Sequence, residues 1–210
     1  MKWRNMPQTA FIWDLDGTLI DSYEAIMEAL AVTYRTFGFD FQADPIRRYI
    51  IKESVGKLLD ILAKQHGLSS EELKTFFIQE QVKRDDKIKL MPFAKEALQW
   101  AKDRGIKQFM YTHKGASTGA VLAELGIVSY FTEILTSVSG FERKPHPQGI
   151  FYLLEKYHLD RDRTYYIGDR RLDVEVAENA GIKSINLVQP QSATNQKIDN
   201  LQVLTQLKDF

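Results

Sequence analysis

Four aspartates carry most of the chemistry this sequence has to offer: Asp14 and Asp16 in Trp13-Asp14-Leu15-Asp16-Gly17-Thr18, and Asp169 and Asp173 in Gly168-Asp169-Arg170-Arg171-Leu172-Asp173. Gathered in one place, each like-charged pair repels by about 4 kcal/mol at 4 Å and an effective dielectric near 20. Such a cluster calls for a cation. The chain has no cysteine in 210 residues, which excludes thiolate nucleophiles, disulfides and Cys-ligated zinc or iron–sulfur sites. Carboxylate oxygens without thiols suit Mg²⁺, which keeps waters and shares a phosphate oxygen. Lys144 adds a fixed positive charge, and Thr112, His113 and the backbone N–H groups of the Gly17 loop add donors. A dianionic phosphate held there would have two cationic partners and a cradle of hydrogen bonds.

These residues need elements to position them. Ala10-Phe11-Ile12-Trp13 is an apolar run too short for a helix, so it predicts a buried strand that feeds Asp14 into a tight loop. Asp21-Ser22-Tyr23-Glu24 resembles a capping box and opens a helix running to Phe37 before Gly38. Asp44-Pro45, a cap residue and a first-turn proline, opens a second helix to Ile51; Val55–His66 before Gly67 reads as a third. A fourth starts at Ser69-Ser70-Glu71-Glu72 and runs to about Lys87. Beyond Pro92 the texture changes to alternation. Helices are predicted over 94–104, 116–125, 147–157, 172–180 and 201–207, and strands over 106–111, 133–136, 164–167 and 183–187. The polar stretch Gln189–Lys197 reads as a surface loop.

Such alternation predicts an α/β fold, a Rossmann-like parallel sheet with helices on both faces, with a small α-helical domain inserted after the first strand. The boundaries place 1–20 and 88–210 in the catalytic core and 21–87 in a helical cap. Ligands of such sheets bind beyond the carboxyl ends of the strands. The residues that follow the predicted strands are Asp14 and Asp16, Thr112 and His113, Lys144, and Asp169 with Asp173. All of the polar groups above therefore converge on one crevice.

Twenty-eight basic residues balance twenty-eight acidic ones. A net charge of zero gives no long-range pull on polyanions, which disfavours nucleic acid and anionic membrane partners. Met1–Pro7 lacks the apolar stretch of a signal peptide, and no run approaches the roughly 20 apolar residues of a membrane span. A soluble, cytoplasmic protein is the expectation.

Asp14-Leu15-Asp16-Gly17-Thr18-Leu19, Tyr111-Thr112-His113, Lys144-Pro145 and Gly168-Asp169-Arg170-Arg171-Leu172-Asp173 resemble the ordered motifs of the haloacid dehalogenase-like superfamily. The resemblance spans essentially the whole chain, and the helical insert is similar to the cap of the phosphoglycolate phosphatase and β-phosphoglucomutase group. It implies that Asp14 attacks phosphorus to form an aspartyl-phosphate, and that Asp16 protonates the leaving oxygen and then activates water. It further implies that Asp14, Asp16 (through its carbonyl) and Asp169 bind Mg²⁺ with Asp173 in support, while Gly17, Thr112, His113 and Lys144 serve the phosphate.

His113 and Arg170 depart from the superfamily pattern, which has asparagine or a small polar residue at the first position and serine, threonine or alanine at the second. Either His113 titrates near the reaction, giving a pH dependence near 6 to 7, or it is packed at the crevice edge; Arg170 pairs with a neighbouring carboxylate. The expected activity is a Mg²⁺-dependent phosphatase acting on a small phosphorylated metabolite such as phosphoglycolate. Alternatives on the same core are a phosphomutase, a pyrophosphatase and a non-catalytic phosphate-binding module. A dehalogenase would not need Asp16, because halide leaves unprotonated. Between two cap helices, Lys52 and Ser54 are the candidates for contact with the rest of the substrate, against the plainer reading of a solvated turn. Crossings at Ile20–Asp21 and Ile88–Pro92 predict a hinge.

Overall fold

The computed structural model describes residues 8–207; the Met1–Pro7 stretch, read above for a leader, lies outside them. No helix among the described residues is long and apolar enough to cross a membrane. The chain divides into two compact units, one formed by Met1–Asp21 with Lys89–Phe210, the other by Ser22–Ile88.

The larger unit is built on a sheet that has six strands among the described residues, all parallel, in the order β5-β4-β1-β6-β7-β8. They are β1 (Ala10–Trp13), β4 (Lys107–Tyr111), β5 (Glu133–Leu135), β6 (Thr164–Gly168), β7 (Lys183–Asn186) and β8 (Asn195–Lys197). Every β1 side chain is fully buried, and a large apolar side chain buried in this way contributes about 1.5–3 kcal/mol. From β1 the chain builds β4 and β5 to one side and then crosses to β6, so the order reverses at β1, and in sheets of this kind ligands bind beyond the strand ends at that switch point. Helices α5 (Ala94–Asp103), α6 (Thr118–Glu124), α7 (Gln148–Lys156), α8 (Arg171–Ala180) and α9 (Leu201–Leu204) complete the unit. The ribbon of β2 (Ile20–Asp21) and β3 (Lys89–Leu90) pairs antiparallel where the chain leaves the unit and returns.

The smaller unit is helical: α1 (Tyr23–Thr36), α2 (Ala43–Lys52), α3 (Val55–His66) and α4 (Ser70–Val82). Its core gathers Leu30, Ile50, Leu59, Leu73 and Phe77. Glu28 on α1 receives Lys87 at 2.6 Å and Arg84 at 3.4 Å, which ties the end of the unit to its first helix.

Several expectations change. Gln189–Lys197 is not wholly a loop: β8 adds a sixth strand whose polar sequence hid it, with Asn195 fixing the preceding turn through Pro190 O and Gln189 O. The fourth helix stops at Val82, and a separate 3₁₀ turn covers Asp85–Lys87. The first helix has no capping box, because the Ser22 side chain makes no cap hydrogen bond. The second is preceded by Gln42, which leaves Asp44 inside the first turn rather than at the cap. The last helix ends at Leu204.

Candidate active site

Asp14 leaves β1 with its N–H donated to Ile167 O at 2.8 Å, which sets its carboxylate beside the end of β6. The loop that follows closes tightly: Leu15 O accepts from the N–H groups of Thr18, Leu19 and Ile20. Gly17 sits at φ 86°, a conformation that glycine, without a β-carbon, adopts at little cost. Its N–H is donated to Ile20 O at 2.8 Å, which closes the turn. Thr18, fully buried, donates its hydroxyl to Asp169 Oδ1 at 3.0 Å and thereby links the first acidic loop to the second.

Lys144 lies at the centre. Its Nζ donates to Asp14 Oδ1, Asp173 Oδ1 and Tyr166 Oη, each at 2.8 Å. Asp173 gives its other oxygen to the Arg170 N–H at 3.0 Å, so both carboxylate oxygens are engaged. That approach needs Gly168 to lack a side chain, because a β-carbon there would overlap the Asp173 carboxyl. Asp14, Asp169, Asp173 and Lys144 are all buried. Three carboxylates against this one ammonium leave an excess of negative charge in a place of low dielectric.

The proton affinities register that excess. Burial pushes Asp14 up to about 6, and Asp173 and Asp16 add to the rise against the pull of Lys144. Burial, followed by Asp173 and Asp14, also drives Asp169 well above the usual carboxylate range, with Thr18 and Arg170 opposing. Burial opposes the charge on Lys144, but Asp14 and Asp173 outweigh it and hold its affinity for protons well above normal. One oxygen each from Asp14, Asp169 and Asp173 lies within 4.8 Å of the others. Oxygen-only donors carrying uncompensated negative charge fit a small hard divalent cation such as Mg²⁺. Asp16 Oδ1 is buried and, among the described residues, has no hydrogen-bond partner.

Thr112 is buried at the end of β4, where its N–H is donated to Leu135 O and its Oγ1 accepts from the Lys114 N–H at 3.1 Å. His113 uses Nε2 to accept the backbone N–H of Lys144 at 3.0 Å. Burial, then Lys144, Arg143 and Arg170, pushes the imidazole down to about 2. It therefore stays neutral near pH 6 to 7, which corrects the titrating alternative; it positions the Lys144 segment instead. Arg170 meets a carboxylate through its backbone N–H. Lys52 and Ser54 belong to the helical unit, where Lys52 is exposed and the Ser54 hydroxyl caps α3 by accepting the Lys57 N–H at 3.0 Å.

Sequence reasoning passed over Thr18, Lys114 and Tyr166. Lys114 is buried directly after His113. Tyr166 carried a signal that went unused: a hydroxyl in the middle of a buried strand must find a partner.

A parallel sheet reversing at β1, with aspartates and a lysine gathered at its carboxyl edge, is the frame of a hydrolase, and residues 11–187 match the haloacid dehalogenase-like hydrolase family. The chain belongs to that family. A phosphoglycolate phosphatase of Vibrio vulnificus (strain YJ016) is 30% identical over 192 residues, covering 83% of this chain and 81% of its own. The pyrophosphatase PpaX of Oceanobacillus iheyensis is 24% identical over 186 residues, covering 88% and 85%. A solved hydrolase from Streptococcus pneumoniae TIGR4 is 27% identical, superposes with a TM-score of 0.63, and covers 96% of this chain and 100% of its own.

Proposed function

We propose that this chain is a Mg²⁺-dependent phosphatase that hydrolyses a small phosphorylated metabolite through an aspartyl-phosphate on Asp14. The observation that carries the reading is the asymmetry of Asp14. Lys144 fixes Oδ1 at 2.8 Å, which leaves Oδ2 as the oxygen to attack phosphorus. As the P–O bond to the leaving group breaks, Asp16 gives that oxygen its proton; Asp16 then takes a proton from the water that cleaves the acyl phosphate and restores the Asp14 carboxylate. The unpartnered Asp16 Oδ1 suits a group that must exchange protons with substrate. Asp14, Asp169 and the Asp16 carbonyl would hold Mg²⁺, which when bound supplies positive charge against the phosphoryl oxygens. Asp173, with both oxygens engaged, supports that set through Lys144. Thr112 serves the phosphate. The helical unit takes the part of the cap, with Lys52 and Ser54 as its substrate-side candidates.

Phosphoglycolate is the first substrate to test, on the strength of the Vibrio relative, and the Oceanobacillus relative favours pyrophosphate as the second reading. A panel of organic-acid phosphates, sugar phosphates and pyrophosphate, with Mg²⁺ and with chelator, distinguishes them. Release of inorganic phosphate from one of them, abolished by chelator, is the expected result. No release from any of them by folded protein would overturn the proposal, and an isomerised phosphate ester would redirect it to a mutase.

A further inference from the structure

We propose that Tyr166 is a positioning residue, whose buried hydroxyl holds Lys144 in the orientation that fixes the attacking carboxylate of Asp14. The inference rests on Asp14 being the nucleophile. Tyr166 is fully buried on β6. Its hydroxyl donates to Tyr111 O, at the end of β4, at 2.6 Å. With its one hydrogen committed there, the oxygen faces Lys144 as an acceptor only, and it receives an Nζ–H at 2.8 Å. An ammonium has three hydrogens. Those of Lys144 go to Asp14, Asp173 and Tyr166, so the group has no unspent donor and one orientation satisfies it.

β1 lies between β4 and β6 in the sheet, so the chain Tyr111 O, Tyr166 Oη, Lys144 Nζ, Asp14 Oδ1 gauges the nucleophile against both neighbouring strands. Removing the hydroxyl would leave one N–H of a buried cation without an acceptor. The ammonium would then turn toward the remaining oxygens of the acidic cluster, among them the Asp14 oxygen that has to attack. The two rings beside Nζ, Tyr166 at 5.1 Å and Tyr111 at 5.9 Å, are retained in a Tyr166→Phe protein. The substitution therefore isolates the hydroxyl.

Two measurements on full-length protein decide the matter. Kinetics of Tyr166→Phe should show kcat lowered about tenfold with KM within about twofold, since alignment of the nucleophile is lost and substrate contact is not. In protein labelled with ¹⁵N-lysine, the fully hydrogen-bonded Lys144 ammonium should give a slowly exchanging signal, identified by its loss in Lys144→Met. That signal should vanish in Tyr166→Phe. Tyr165→Phe, which alters the neighbouring strand residue, should leave both signal and kcat as in the parent. An unchanged ammonium signal in Tyr166→Phe, or an unchanged kcat accompanied only by a lower melting temperature, overturns the inference. If the parent protein hydrolyses no phosphate compound, the proposed function fails while the ammonium signal still tests the positioning of Lys144.

Discussion

The two units treat buried charge in opposite ways. In the helical unit the buried carboxylate among the described residues is Glu80, and it is over-supplied with cations: Lys83 and Arg84 both reach it. Their hydrogen bonds hold its proton affinity below the ordinary value. In the α/β unit Asp14 and Asp173 share Lys144 while Asp169 accepts only the Thr18 hydroxyl among the described contacts, and Asp14 and Asp169 are pushed upward. A carboxylate that folding has neutralised is structural. A buried cluster whose carboxylates are held above their usual range fits the cation that the proposed function calls for.

Substitutions should separate the two cases sharply. Asp14→Asn should keep the fold and lose phosphate release by several orders of magnitude, whereas Glu80→Gln should leave turnover intact. Circular dichroism and a phosphate assay on the pair check this. Lys144→Met should come next: it leaves the buried carboxylates of Asp14 and Asp173 without their ammonium and should cost about 3–5 kcal/mol in urea unfolding. Lys83→Met, on the exposed side of the Glu80 pair, should barely move the midpoint. Gly168→Ala should cost about 1–3 kcal/mol by overpacking against Asp173, and should raise the Mg²⁺ concentration needed for half-maximal activity.

The smallest effect concerns pH. His113 is held near 2 in the folded protein, against an ordinary value of 6.5. The unfolded chain therefore takes up a proton below pH 6.5 that the folded chain refuses. The contribution of His113 to stability is complete above 6.5 and falls with pH, by at most about 1.4 kcal/mol per unit. His113→Asn should flatten that acid limb of stability and leave the activity profile between pH 6 and 8 unchanged. A profile that moves would restore a titrating imidazole.

The elements that present the site were legible because each is an apolar run punctuated by polar residues. Ala10–Trp13 before Asp14 and Thr164–Ile167 before Gly168-Asp169 are too short and too buried to be anything but central strands. Gly67, Gly105 and Gly181, at φ 67°, 69° and 68°, ended helices as expected. What escaped lacked an apolar signature or depended on partners far along the chain. β8 is Asn-Gln-Lys, an edge strand whose pairing with β7 replaces hydrophobic patterning. Tyr166 meets Lys144 across 22 positions and Tyr111 across 55, and no local spacing announces either bond. His113 was open between two readings because its protonation depends first on burial and then on Lys144, Arg143 and Arg170, which only the fold brings about.

The central claim is that a covalent bond forms between Asp14 and phosphorus. Rapid acid quenching of the protein turning over, with Mg²⁺, the substrate that the phosphate panel identifies, followed by peptide mass spectrometry, tests it. One phosphoryl group should appear on the peptide containing Asp14 and be missing from Asp14→Asn. Sustained phosphate release with that peptide unmodified, or with the label on another residue, would contradict it.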